Sequence, residues 1–153
     1  MIADKIGVTK AAVYHQYQTK EEIVLAAAED ELARLQAVIE TAEAEPTRKR
    51  ARDTLVTGII DLAVESRHTV STILSDPAIV GFFAEHKTYR DVMYRLRRLL
   101  IGDDAGAEAR IETAMLFAAI SGAVIHPTVV DLDDDVLRTQ LTRLARRFLG
   151  LPR

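Results

Sequence analysis

Apolar residues recur every three or four positions over most of the chain, which is the spacing of one face of an α-helix. The first long stretch runs from about 20 to 44, with an apolar stripe at Ile23, Ala27, Ala28, Leu32, Leu35 and Ile39. A second runs from about 48 to 66, with Leu55, Ile59, Leu62 and Ala63 directed inward. No stretch alternates apolar and polar residues as a half-buried strand would. The pattern therefore predicts an all-α fold.

Residues typical of helix ends divide the rest of the chain into further helices. Glu45-Pro46 ends one helix and Thr47 starts the next, and Asp133 to Asp135 place negative charge at the start of the last helix. Glycines end segments at 102–106 and at Gly150. The helices predicted between these signals span about 69–75, 77–84, 86–100, 107–125 and 134–149.

The stretch 107–125 is the least polar in the chain and is apolar nearly all round, which predicts burial on two sides. It could be the central helix of a monomeric bundle, or its second face could meet a partner. Its small residues allow close backbone approach: Ala118, Ala119, Ser121, Gly122 and Ala123. The last helix carries one apolar stripe, formed by Leu137, Leu141, Leu144 and Phe148.

The first 23 residues read as two short helices joined by a tight turn, followed by the start of the long helix. Gly7 supplies the left-handed residue at the turn, and Thr9 stands at an N-cap position. The next helix, about 10–17, has Val13 and Tyr17 on one face. Its other side presents Lys10, Ala11, Tyr14 and His15. Small residues beside a lysine and polar-tipped rings suit a helix that enters a DNA major groove.

This stretch resembles the helix-turn-helix of the TetR family of bacterial transcriptional regulators. The matching residues are Ile2-Ala-x-x-Ile-Gly-Val-Thr-Lys-x-x-Val-Tyr14, then Tyr17, then Thr19-Lys-Glu-Glu-Ile23. The resemblance implies that Thr9, Tyr14 and Lys20 contact DNA phosphates, and that Lys10, Ala11, Ala12 and His15 face base edges. The family has a further amphipathic helix before the position of Ile2, so we expect an in-frame segment upstream of Met1 that encodes it.

The resemblance also implies an organisation for the whole chain. Residues 1–45 would be the DNA-binding part with its connecting helix, and 46–153 the ligand-binding and dimerisation domain. The last two long helices would form a four-helix interface in a homodimer that binds a palindromic DNA operator. A small apolar or amphipathic effector would release the DNA. The alternative is a dimeric helical small-molecule-binding protein that has lost DNA binding.

Two groups of residues are candidate ligand sites. Phe82, Phe83, His86, Met93 and Phe117 combine apolar surface with one titratable ring, so we predict that they line the effector pocket. For His86 itself, core packing is favoured over a role as the polar anchor of a pocket. Asp61, Glu65 and His68 would share a helix face, but a helix break near Ser66 favours surface polarity over a metal site. The basic run of Arg48, Lys49, Arg50 and Arg52 is expected to be a solvated first turn rather than a phosphate contact.

Composition narrows the functional class. At 153 residues with 48% hydrophobic and 28% charged residues, the chain is globular and of single-domain length. It has no cysteine and no apolar run long enough to span a bilayer, so we expect a cytoplasmic protein without membrane association. The net charge of the chain is −3, but residues 1–20 hold three lysines and a single acidic residue, Asp4. The segment predicted to bind DNA is therefore locally positive. No catalytic constellation is visible, so we expect neither an enzyme nor a cofactor.

Overall fold

A computed structural model of the chain describes residues 20–67 and 85–151, with the backbone alone for 20–28. The described residues form five helices and no strand: α1 (Lys20–Glu43), α2 (Arg48–Glu65), α3 (Lys87–Ile101), α4 (Ala107–Val124) and α5 (Asp134–Phe148). For this part of the chain the prediction of an all-α fold is confirmed. The helices predicted over 69–75 and 77–84 lie outside it.

Helix α2 lies at the centre of the described structure and contacts all four other helices. Its side chains Leu55, Val56 and Ile60 are at most 1% exposed. Ile39 and Ala42 of α1 are fully buried in the same core. Gly58 permits this close packing, because a Cβ at Gly58 would lie 2.5 Å from Val38 Cγ1. The core is thus centred on α2, and all five described helices contribute to it.

Among the described residues, helix α4 is not the central helix, and it is covered on one side only. Leu116, Ile120 and Val124 are buried, whereas Ile111 and Met115 are more than half exposed. The prediction of burial on two sides is therefore not met by the described residues of a single chain. The physical reason is that α2 already occupies the centre of the bundle, so α4 packs along its edge.

Local chemistry fixes the helix ends close to where the sequence predicted them. Thr47 is the N-cap of α2, and its hydroxyl accepts a hydrogen bond from the Arg50 backbone N–H at 3.3 Å. Asp133 caps α5 by accepting from the Asp135 N–H at 2.8 Å. Gly102 follows α3 with φ of 84°, a backbone conformation that residues with a Cβ rarely adopt. The helix starts predicted at Thr47 and Asp133 and the break predicted at 102–106 agree with the structure.

None of the described helices is long and apolar enough to cross a membrane.

Candidate functional site

The predicted DNA-reading residues fall almost wholly outside the described structure. Thr9, Lys10, Ala11, Ala12, Tyr14 and His15 lie within 1–19, for which nothing is described. Lys20 is the first residue of α1, and its side chain likewise lies outside the described residues. What the structure does describe is the helix that leaves this segment and the contacts that hold that helix to the rest of the chain.

A polar cluster fastens the middle of α1 to the carboxyl end of α2. The Arg34 guanidinium donates to Glu65 Oε2, and its Nη1 donates to Ser66 Oγ at 3.2 Å. The Ser66 hydroxyl in turn donates to Glu31 Oε1 at 2.6 Å. Ser66 is only 7% exposed, and it is the buried polar residue of the described core. Because hydrogen bonds to charged groups are the stronger ones, this cluster should resist sliding of α1 along α2.

A second attachment joins the carboxyl end of α1 to α3. Arg95 Nε and Nη2 donate to the two carboxylate oxygens of Glu43 at 3.3 and 2.6 Å. The hydrogen bond from Arg95 lowers the pKa of Glu43, and its coulombic attraction acts in the same direction against the opposing effect of desolvation. The same hydrogen bond raises the pKa of Arg95. Thus α1 is held at two separate points by two different helices.

The predicted effector residues are distributed over α3, α4 and the segment before α3. Phe82 and Phe83 lie outside the described residues. His86 is half-buried at the N-cap position of α3, and Met93 of that helix is half-buried against the core. Phe117 of α4 is also half-buried against the core. Burial raises the pKa of Tyr89, one turn after His86. The grouping of these residues into a pocket stays a prediction.

A groove lies elsewhere in the described structure, between α2 and α5. Its volume is about 880 Å³, and it is open to solvent. Thr57 and Asp61 line it from α2; Arg138, Thr142, Arg143 and Arg147 line it from α5. The sequence pattern does not predict this groove. The available signal was the cluster of arginines and threonines on one side of α5, but nothing local indicates which helix that side faces.

Ion pairs run along the floor of this groove and join α2 to α5 in antiparallel order. Arg146 forms a two-pronged pair with Asp53, at 2.6 and 2.9 Å. Arg138 Nε lies 2.9 Å from Asp61 Oδ1. Asp61, a member of the Asp61, Glu65 and His68 group, therefore forms an ion pair with an arginine. Among the described side chains, no group of three or more could hold a metal ion, and His68 lies outside them.

The basic first turn of α2 divides into exposed and half-buried members. Arg48, Lys49 and Arg50 are exposed, as expected of a solvated turn. Arg52 differs, because its Nε is buried and has no hydrogen-bond partner among the described residues. Desolvation lowers the pKa of Arg52, Arg48 adds to that effect, and Glu112 opposes it. This part of the run therefore serves packing against α4 more than contact with solvent.

Helices α4 and α5 each leave large apolar side chains uncovered among the described residues, and these side chains are here called the apolar face. Its members are Ile111 60%, Met115 57%, Val136 47%, Leu144 47% and Phe148 48% exposed. On α4 the exposed Gly122 lies on the same helix side as Ile111, and a Cβ built there would meet nothing within 4 Å. Large exposed apolar side chains on two packed helices are candidates for an interaction site.

The first part of the chain matches a known protein family. A family model described as "Bacterial regulatory proteins, tetR family" matches residues 1–27. No curated protein matches the chain. The family match contains Thr9 to His15 and Lys20, the residues predicted to read DNA, and it ends inside α1. It supports a TetR-family regulator, and the helical structure of the described residues is consistent with a TetR-like protein.

Proposed function

Taking the chain as a regulator of the tetR family, we propose that it binds a palindromic DNA operator as a homodimer and releases it when a small molecule binds. The observation that carries this proposal is the family match to residues 1–27. That segment holds the helix-turn-helix pattern, in which Lys10, Ala11, Ala12 and His15 would face base edges. Thr9, Tyr14 and Lys20 would contact phosphates.

The connection between the matched segment and the body supports a mechanical role for α1. This helix begins at Lys20, inside the match, and continues for 24 residues to Glu43. At 1.5 Å per residue it spans roughly 36 Å. A rigid helix of that length converts a small rotation at its body end into a larger displacement at its other end. Helix α1 is therefore the natural lever between the operator-binding part and the body.

The two attachments of α1 suggest how a ligand would act on the lever. The cluster of Arg34, Glu65 and Ser66 holds the middle of α1 to α2. The Glu43–Arg95 pair ties its end to α3, which also carries the predicted effector residue Met93. A ligand that moves α3 relative to α2 would thus reorient α1. It would do so only to the extent that its affinity differs between the two arrangements.

Homodimerisation is supported by the apolar face of α4 and α5. Covering large side chains that are half exposed in one chain releases apolar surface from water, at about 25 cal/mol per Å². A two-fold interface there would also suit a palindrome, whose half-sites lie about 34–36 Å apart. The ligand would favour a spacing of the two DNA-binding parts that no longer fits successive major grooves.

The proposal is tested by selecting bound DNA from a random-sequence pool with the purified protein. We expect enrichment of a palindrome. The affinity of variants for that palindrome is then measured directly at several salt concentrations. Lys20→Ala should weaken all sequences alike and lower the salt slope by about one unit, since one phosphate contact fewer releases one counterion fewer. Lys10→Ala should instead weaken one operator position, by about 1–3 kcal/mol. Lys87→Ala, at an exposed lysine of the body, is the control.

Ligand binding is tested separately by thermal-shift screening of small apolar and amphipathic compounds. A compound at a hundred times its Kd should stabilise the protein by about 2.7 kcal/mol. His86→Ala should remove the shift, whereas the exposed His126→Ala should keep it. A stabilising compound together with no enriched DNA would support the alternative, a helical ligand-binding dimer without DNA binding. Absence of both responses would contradict the proposal.

A further inference from the structure

The groove between α2 and α5 carries an excess of positive charge on a surface that the proposed function does not use. Its lining contains four arginines of α5 and one acidic residue, Asp61. The acids beside it are already engaged, because Asp61 pairs with Arg138 and Asp53 pairs with Arg146. The pairs leave two guanidinium groups, those of Arg143 and Arg147, to determine the charge of the groove.

Arg143 and Arg147 are placed to bind a ligand together. They are four residues apart on α5, so they lie on neighbouring turns of one helix face. Both are exposed. Arg143 Nη2 donates a hydrogen bond to the neutral amide oxygen of Gln140, at 2.6 Å. Arg147 has no carboxylate partner among the described residues. Neither charge is therefore neutralised within the described structure.

The side chains around Arg143 and Arg147 form a groove that suits a small molecule. The half-buried hydroxyls of Thr57 and Thr142 line the groove and can donate to an oxyanion. Leu144 and Leu151 add apolar surface at the same site. A volume of about 880 Å³ is within the usual range of small-molecule pockets. The ion pairs of Arg138 and Arg146 hold the two walls together without any ligand.

We propose that this groove binds a small molecule bearing a phosphate or carboxylate group, with Arg143 and Arg147 holding the anion and Thr142 donating a hydrogen bond. Guanidinium groups match the planar, two-oxygen geometry of both anions. The site goes beyond the proposed function and needs neither DNA nor the predicted effector residues.

The two arginines of the groove lie away from Phe148 of the apolar face proposed for dimerisation, whereas Leu144 borders both surfaces. Arg143 and Phe148 are five residues apart, which places them about 140° apart around α5 at 3.6 residues per turn. Arg143 lines the groove beside α2, and Phe148 is not among the residues that line it. The arginines that would hold the anion are therefore distinct from the large side chains of the apolar face.

The test is a titration of the protein with inorganic phosphate and, separately, with succinate, followed by NMR of the backbone and arginine N–H groups. We expect saturable binding of at least one probe, with the largest shifts at Arg143 and Arg147. Arg143→Gln/Arg147→Gln should weaken that binding by about tenfold or more, because two charge-assisted hydrogen bonds are lost. Thr142→Val, which changes no charge, should weaken it roughly two- to tenfold.

The matched control is Lys87→Gln/Arg110→Gln, which removes two positive charges from exposed positions outside the groove. Its affinity for the probe should stay within about twofold of the unmodified protein, since distant exposed charges are screened by salt. Binding of phosphate alone would assign the site to phosphate-bearing ligands, and binding of succinate alone to carboxylates. The proposal is overturned if neither probe saturates at millimolar concentration, or if both double variants lose affinity equally. A failure here leaves the operator experiment unaffected.

Discussion

Helix α2 and the α4–α5 pair both carry regular apolar stripes, but these stripes have opposite surroundings. Leu55 and Ile60 of α2 are fully buried by the helices around them. Met115 of α4 and Phe148 of α5 are about half exposed, although both sit in apolar stripes as regular as those of α2. The first region satisfies its apolar surface within one chain. The second has a covered side and an uncovered side, and the uncovered side is what a second chain would bury.

This difference separates two kinds of stability in the molecule. Side chains in the α2 core stabilise the fold of each chain whatever its concentration. Side chains of the apolar face contribute fully only when a partner covers them, so their contribution depends on protein concentration. Substitutions in the two regions should therefore change different observables: the free energy of unfolding for the α2 core, and the state of association for the apolar face.

The largest effect is expected from Gly122→Glu on the apolar face. In a single chain the new side chain meets nothing within 4 Å of its Cβ, so the helical fold should persist. In a dimer seam it places an unpaired carboxylate against apolar surface, which costs roughly 3–5 kcal/mol per protomer. Light scattering should show the mass fall from twice 17.0 kDa to that of one chain, with circular dichroism unchanged.

Gly106→Asp is the matched control, because it adds the same charge at another glycine with open space around it. Its mass should remain that of the dimer. A folded monomer for the unmodified protein would contradict the proposed dimer.

Next in size is Leu55→Ala in the α2 core. Leu55 is fully buried, so the substitution loses apolar burial and leaves a cavity. The free energy of unfolding should fall by about 2–5 kcal/mol. Urea denaturation measures it, with Val130→Ala as the control, since Val130 is 63% exposed and should change stability by less than about 0.5 kcal/mol. Equal losses for the two variants would show that the core is not centred on α2.

A smaller effect is expected at the ion pair between Asp53 and Arg146, which joins the two regions. The pair is bidentate and both side chains are about one-third exposed, so solvent screens part of its strength. A double-mutant cycle with Asp53→Asn and Arg146→Gln should give a coupling free energy of about 1 kcal/mol. The same cycle built on Asp53→Asn and the exposed Arg110→Gln should give a value near zero, because those residues share no contact.

The smallest effect concerns the Glu43–Arg95 pair and depends on pH. The folded-state pKa of Glu43 is lowered from 4.5, chiefly by the hydrogen bond from Arg95. The pair therefore stabilises the fold fully above the unfolded pKa, and that contribution is lost as the pH falls through the folded pKa. Glu43→Gln should cost less than about 1 kcal/mol at pH 7 and become neutral in strong acid. Urea unfolding at the two pH values checks it; a difference that grows on acidification would contradict it.

Helix identity and helix ends were largely predictable because both depend on neighbours in the sequence. Spacing of apolar residues defined α1, α2, α4 and α5 to within a residue or two of their observed bounds. Thr47 and Asp133 cap their helices through backbone groups two or three residues away, so the sequence alone specifies the bond. The helix-turn-helix pattern of residues 2–23 is equally local, and the family match covers the same segment.

Only the tertiary structure decided which apolar side chains are covered and which charges meet. The stripe of α5 reads as one row, yet Leu137 is 3% exposed and Phe148 is 48% exposed, because α2 and α4 cover one part and leave the other. Asp53 and Arg146 are 93 positions apart, and nothing near either residue indicates the other. The groove lies where α2 and α5 pack together and these distant residues pair. Periodicity fixes a side chain's direction from its own helix, whereas its burial and its partner depend on how separate helices pack.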